Sequence, residues 1–344
     1  MANLETTYMG LKLKSPIIAG SCGLTNSIEN IKELAAKGAG AIVIKSMFEE
    51  QILIETEKYI KTEDKGMDLY TKTPASFLDR RVHDYEEAYS YIYEYAKKNT
   101  LNTYLDFIRE AKKSVDIPII SSINCTSAYD WQSYAKNIED AGADALEFNL
   151  YVLPSDFNST VEENEKVYYD VIDKVKNFVK IPYSIKLGYY FSALAPSIIK
   201  LSESGVKGLV LFNRPYNPDI DIENICLSDG NIYSSDLEYA RSLRWISILS
   251  GKVKCDLVAN TGIHNYETVI KQLLAGAQAV EIVSAIYNDG FEVIEKISND
   301  IKSWMQRHNF EKIEDFRGKL CKSNLEHPAA IERVQFMKLY SGIE

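Results

Sequence analysis

Between residues 16 and 284 the chain repeats one pattern: eight short apolar runs, each ending in a small, amide, hydroxyl or lysine side chain, and each followed by residues at helical spacing. The runs are Pro16–Ala19, Ala41–Ile44, Ile117–Ile123, Ala145–Phe148, Tyr183–Ile185, Gly208–Phe212, Asp256–Ala259 and Ala279–Val283. Runs this short and apolar suit strands buried on both faces, and their alternation with amphipathic stretches predicts repeated βα units. Eight units give a (β/α)8 TIM barrel, which carries its chemistry at the C-terminal ends of the strands. The first helix shows the logic in miniature. Its apolar stripe of Ile28, Ile31, Leu34 and Ala35 lies between a Ser27 cap and a Gly38 stop. Helices are also expected near 101–114, 130–140, 161–178, 193–203, 236–249, 265–275 and 290–306.

The rhythm has edges and breaks. Residues 3–14, turning at Met9-Gly10, read as an N-terminal hairpin that plugs the lower end of the barrel. An insertion of about fifty residues follows strand 2 after Lys45, and its stretch 84–98 sets Tyr85, Tyr89, Ile92 and Tyr93 at helical spacing. A second excursion, 214–235, follows strand 6 and has room for a short hairpin, and a C-terminal tail from about Asn309 is expected to pack on the barrel. The whole chain, 1–344, reads as a single domain.

The strand ends define a candidate site. Asn260-Thr261-Gly262-Ile263-His264 ends strand 7 and Ser284-Ala285 ends strand 8, the two positions where barrels of this class often hold phosphate on backbone N–H groups. Lys45, followed by Ser46, and Lys186 end strands 2 and 5. An ammonium there needs an anion or an electron-rich ligand, and both are expected to face the mouth and stabilise negative charge on a bound ring. The competing reading pairs either lysine with a nearby acid such as Glu49 or Glu147. Asn124, Asn149 and Asn213 end strands 3, 4 and 6, and amides match the mixed donor and acceptor edge of a flavin or pyrimidine.

Composition narrows the class. A net charge of −10 and the absence of any basic cluster argue against a nucleic-acid surface. No run of membrane-spanning length and no basic, apolar leader occurs, so a cytoplasmic protein is expected. Cys22, Cys125, Cys226, Cys255 and Cys321 are odd in number and form no CxxC pair, which argues against a disulfide framework or a metal knuckle.

The segments SPIIAGSCGLT, AIVIKS, SSIN, AGADALEFNLYVLP, IPYSIKLGYYFS, LVLFNRPYNPDID, NTGIHNYETVIKQLLAGAQAVEIVSAI and EDFRGKL resemble, in order and spacing, the soluble class 1 dihydroorotate dehydrogenases. The resemblance runs from residue 5 to about 340 and implies an FMN-binding barrel acting on a small molecule. It also implies a homodimer, with a separate electron-transfer partner in some members. Gly20 and Ser21 would lie along the flavin, and Lys45, Ser46, Asn124, Asn149, Lys186 and Asn213 would contact the ring or ribityl chain. The backbone at Thr261-Gly262 and Ser284-Ala285 would hold the phosphate, with Thr261 standing where the family usually has a glycine.

One departure bears on the reaction. The family continues strand 4 as Asn-Leu-Ser-Cys-Pro-Asn, its Cys being the base that removes the C5 proton of dihydroorotate. Here the stretch is Asn149-Leu150-Tyr151-Val152-Leu153-Pro154, so Val152 occupies the base position and Pro154 that of a substrate-binding Asn. Arg214 also replaces a small hydroxyl residue, and the family's substrate loop is not found in 46–100. Removing a general base costs about 10²–10⁴ in rate. Cys125, Cys22, Tyr151 and Tyr190 are the rim groups left to move a proton, with Tyr189 beside them; His264 is expected to start a helix, and His83, His308 and His327 to be structural or exposed. The expectation is an FMN oxidoreductase working on another substrate. The alternatives are a true dihydroorotate dehydrogenase with an unconventional base, an inactive flavin-binding partner protein, and a flavin-free phosphate-binding barrel.

Overall fold

The structure is a computed structural model that describes residues 2–48, 101–124 and 131–333. Eight parallel strands close into a barrel: β3 (Ile17–Ala19), β4 (Ala41–Val43), β6 (Ile119–Asn124), β7 (Ala145–Leu150), β8 (Tyr183–Leu187), β9 (Gly208–Leu211), β12 (Asp256–Asn260) and β13 (Ala279–Ile282). Closure is made where β13 pairs with β3 and β4 pairs with β6. All eight expected runs are therefore barrel strands, and the (β/α)8 architecture stands. The hairpin is present as β1 (Thr6–Tyr8) and β2 (Leu11–Leu13), turning at Met9 and Gly10.

The helices fall close to the expected spans. The first runs Ile28–Ala36, and its Ser27 side chain accepts from the Asn30 N–H at 3.2 Å. Replacing Ser27 by alanine is expected to lower stability by about 1 kcal/mol, read as a shifted denaturant midpoint with unchanged slope. Two elements go beyond expectation. A two-residue strand β5 (Met47–Phe48) extends the edge of β6, and a short helix, Ser284–Asp289, follows β13 directly. Gly290, at φ +75°, separates that additional helix from the expected one, Glu292–Arg307. The excursion after β9 does hold a hairpin, β10 (Pro218–Asp221) with β11 (Cys226–Asp229). In the tail, Ile313 and Phe316 are fully buried, and Phe316 stacks edge-on to Trp304.

Side chains on a strand alternate between two faces, and this divides the core. Leu146 and Phe148, Ile185 and Leu187, and Val280 and Ile282 point outward to pack beneath the helices. Ile18, Ala41, Val43, Ile120, Ala145, Val210, Val258 and Ala279 point inward with Tyr8, Met9 and Leu13 of the hairpin, filling the lower half of the barrel. Gly208 makes room for this plug, since a Cβ there would lie 2.6 Å from the Tyr8 ring. One pleat higher the inward positions are polar: Ser122, Glu147, Lys186, Asn260 and Glu281, all buried. The alternation that builds an apolar floor thus delivers charged groups beneath the mouth.

Candidate active site at the strand C-termini

Lys186 is 5% exposed, and its Nζ lies 2.6 Å from Glu281 Oε2 and 3.6 Å from Glu147 Oε1. Burial opposes its charge, but the two carboxylates outweigh burial and raise its pKa. Glu147 is pushed well above the usual carboxylate range, first by burial and then by the negative charge of Glu281. The expectation is that Lys45 and Lys186 both face the mouth, with pairing to an acid such as Glu147 as the competing reading, and for Lys186 that pairing is present. Lys186 does reach the cavity, yet it arrives already paired, and Glu147 is one of its partners. Glu281 was not foreseen, although counting two residues on from the inward Ala279 places it inside the barrel. Lys45, half-buried at the end of β4, is outside the set lining the cavity.

Around this pair the rim residues bond to one another. Ser21 and Ser46 hydroxyls are 3.0 Å apart, Ser46 and Ser122 are 2.7 Å apart, and the Ser46 N–H donates to Ser21 Oγ at 2.8 Å. Asn213 Nδ2 donates to Asn149 Oδ1 at 2.9 Å. Asn124 ends β6, half-buried. Gly20 carries no side chain for a packing reason, because a Cβ would meet Val283 Cγ2 at 2.8 Å.

The loop after β12 is shaped by its backbone. Thr261 and Gly262 both have φ +75°, a region in which glycine is at ease and a β-branched residue is not. That is the physical sense of the family's preference for glycine at 261. The Thr261 hydroxyl offsets some of the strain by donating to the Phe212 carbonyl at 2.9 Å. At Gly262 a Cβ would fall 2.2 Å from the Tyr239 nitrogen, so the start of the helix Tyr239–Leu249 also requires glycine there.

The excursion is pinned over strands 7 and 8 by groups whose role sequence reading missed. Arg214 donates to Glu238 at 3.1 Å and to the carbonyls of Asn231 and Ile232 at 2.7 and 3.1 Å. The Ser234 N–H donates to Ser284 Oγ at 3.0 Å, and its hydroxyl lies 3.0 Å from His264 Nε2. His264 therefore ties down the excursion and precedes the helix Tyr266–Ala275, whose cap is Asn265, instead of opening it. The only hint of these ties in the sequence was Arg214 as a departure from family pattern.

A cavity of about 150 Å³ results, lined by Ser21, Lys186, Asn213, Arg214, Asn260, Thr261, Gly262, Glu281 and Ser284 among others. Six of the expected cofactor contacts thus share one space: Ser21, Lys186, Asn213, Thr261, Gly262 and Ser284. Gly20, Lys45, Ser46, Asn124, Asn149 and Ala285 do not line it, although Ser46 and Asn149 bond to residues that do. A larger cavity, about 430 Å³, lies away from the strand ends and is walled largely by Leu243, Leu274, Leu320, Leu325 and Ile331.

Of the proton-carrying candidates, Cys125 lies outside the described residues, as do Glu49, His83 and the tyrosine-rich stretch 84–98. Burial pushes the Cys22 thiol up, which disfavours it as a base. Burial likewise raises the Tyr151 phenol, whereas Tyr190 is lowered by the neighbouring Tyr189 and Tyr151 hydroxyls. The rings of Tyr151 and Tyr190 meet edge to face at 5.9 Å, and Gly188 leaves the space Tyr151 uses, since a Cβ there would lie 2.8 Å from that ring. Val152 is half-buried against the core and has no proton to exchange. No group of three or more potential metal ligands occurs among the described residues, and none of their helices is long and apolar enough to cross a membrane.

Fold and site together define a (β/α)8 barrel with a polar, charge-bearing pocket at the strand C-termini. The family model described as dihydroorotate dehydrogenase matches residues 65–305, and the chain belongs to that family. Three archaeal relatives are each named as the catalytic subunit of dihydroorotate dehydrogenase B (NAD(+)). That of Thermoplasma volcanium is 25% identical over 324 residues, covering 92% of this chain and 98% of the relative. Those of Methanocaldococcus jannaschii and Pyrococcus horikoshii are also 25% identical, over 89% and 92% of this chain and 94% and 97% of their own.

Proposed function

We propose that the protein is an FMN-dependent oxidoreductase of the dihydroorotate dehydrogenase family that acts on a substrate other than dihydroorotate. The observation that carries this reading is the contrast at one rim: polar residues suited to a flavin converge on the cavity, while Val152 stands where the family's base belongs.

The residues fit the cofactor chemically. The edge of a flavin alternates carbonyl acceptors with an N–H donor. Lys186 supplies a donor, and the Asn213 amide and the Ser21 hydroxyl, which also line the cavity, can donate or accept. Gly262 and Ser284 offer close backbone approach for a phosphate. The cavity has room for only part of a mononucleotide, and Asn149, Asn124 and Lys45, which do not line it, would complete the contacts. When bound, the flavin accepts or returns hydride at N5. The chain's part is to orient the ring and set the charge beneath it.

The test is anaerobic. The purified protein is expected to be yellow and to bleach on photoreduction but not on addition of dihydroorotate. Rapid bleaching by dihydroorotate would instead establish the second reading, a true dihydroorotate dehydrogenase with a substitute base, which the names of its relatives favour.

Those relatives are named as catalytic subunits, which favours a second subunit for electron transfer here as well. A homodimer contact is proposed on the β10–β11 hairpin, where Ile220, Ile222, Ile225 and Leu227 are 64–88% exposed. Ile222→Lys with Leu227→Lys is expected to shift the protein from dimer to monomer in light scattering. A wild-type protein that is already monomeric refutes the contact.

A further inference from the structure

Glu147 and Glu281 place two carboxyl groups on one ammonium inside the barrel, at 1% exposure each. Were all three ionised, the interior would hold one uncompensated negative charge. Such a charge is costly in a medium of low polarity, and the usual resolution is that one group takes up a proton. Geometry selects the group. Glu281 Oε2 is the hydrogen-bonded partner of Lys186 at 2.6 Å, whereas Glu147 stands 3.6 Å off and neither of its oxygens has a hydrogen-bond partner among the described residues. Ionised, Glu147 gains least. Protonated, it has an O–H to give, and the orphaned Glu281 Oε1 is there to accept it.

We infer that Glu147, Lys186 and Glu281 form a built proton-holding site beneath the cavity, in which Glu147 carries a proton at neutral pH and keeps the triad electrically neutral.

The surroundings agree. The hairpin presents Tyr8, whose hydroxyl is also buried without a hydrogen-bond partner among the described residues and whose pKa is raised by burial and then by Glu147. Beyond it, Asp256 of β12 is taken up by the Met9 N–H at 2.7 Å and the Gln278 amide at 3.0 Å. The inward residues on either side of Glu147, Ser122 on β6 and Ser184 on β8, carry no charge. No other cation reaches Glu147 among the described residues it interacts with. Because Lys186 and Glu281 line the cavity and Glu147 does not, the proton is held behind those two side chains, out of contact with any ligand. Negative charge seated against Lys186 tightens the hold on it, and positive charge loosens it. Glu147 and Glu281 are thus positioning residues that set the charge Lys186 can offer. The inference holds whatever ligand the cavity takes.

Infrared difference spectroscopy of the full chain reads it directly. The wild type at neutral pH is expected to show the C=O stretch of a protonated carboxylic acid that is lost in Glu147→Gln. It is expected to be lost in Glu281→Gln as well, because removing that negative charge lets Glu147 ionise against Lys186. Absence of the band from the wild type overturns the inference, as does its survival in either variant. Should Glu147→Gln fail to fold, titrating the wild-type band decides. Its disappearance well above the ordinary carboxylate range supports the site, and disappearance within that range overturns it.

Discussion

Replacing Lys186 by methionine is expected to destabilise the protein by about 3–5 kcal/mol at neutral pH, the cost of leaving a buried partner charge uncompensated. The side chain it replaces lies between Glu281 and Glu147 and is almost wholly enclosed. Methionine fills similar volume, so the loss reports charge more than packing. The pH dependence distinguishes the two. Without the ammonium both carboxyls favour the protonated form in the folded state, so the folded protein binds more protons than the unfolded chain and its stability rises as pH falls. The gap between variant and wild type should therefore narrow toward mildly acidic pH in denaturant titrations. A gap of constant size would mean that the variant has lost packing alone.

The second large effect is expected at Gly40. It leads into β4, its N–H donates to the Ile17 carbonyl at 2.7 Å, and a Cβ there would sit 1.9 Å from the carbonyl oxygen of Ser15. The clash is with backbone, which cannot rotate aside as a side chain can. Gly40→Ala must push β3 and β4 apart, at a cost of roughly 3 kcal/mol. Gly38→Ala is the internal comparison. Gly38 has φ +95° but no atom of the described residues within 4 Å of a Cβ, so backbone strain is what opposes the change, about 1 kcal/mol. Equal losses at the two positions in thermal or denaturant melts would refute the steric argument.

The barrel was legible because its strands are short, apolar and separated by capped helices, and each of these features is local. The upper layer of the interior was less so. Attention to strand-end residues found Lys186, Asn149 and Asn213 but passed over Glu281, which a two-residue count along β13 places among them. The Glu147 partnership was visible as an alternative reading of the lysine and became decisive only when β7, β8 and β13 were set across one lumen. The ties made by Arg214, Ser234 and His264 span up to 50 residues and have no periodicity to betray them. At Thr261 the sequence showed only an odd residue; the positive φ supplies the reason it is odd.

The Tyr8 ring has a wider consequence than filling space. Wedged against Gly208, it closes the barrel from below, directly under the carboxyl pair. Removing the first fourteen residues would take Tyr8, Met9 and Leu13 out of the barrel floor and bring bulk water closer at that end. Solvent entering there would hydrate Glu147 and Glu281 and weaken the electrostatic isolation on which they depend, with the strand C-termini left untouched. The opening residues of the chain therefore act as a gasket.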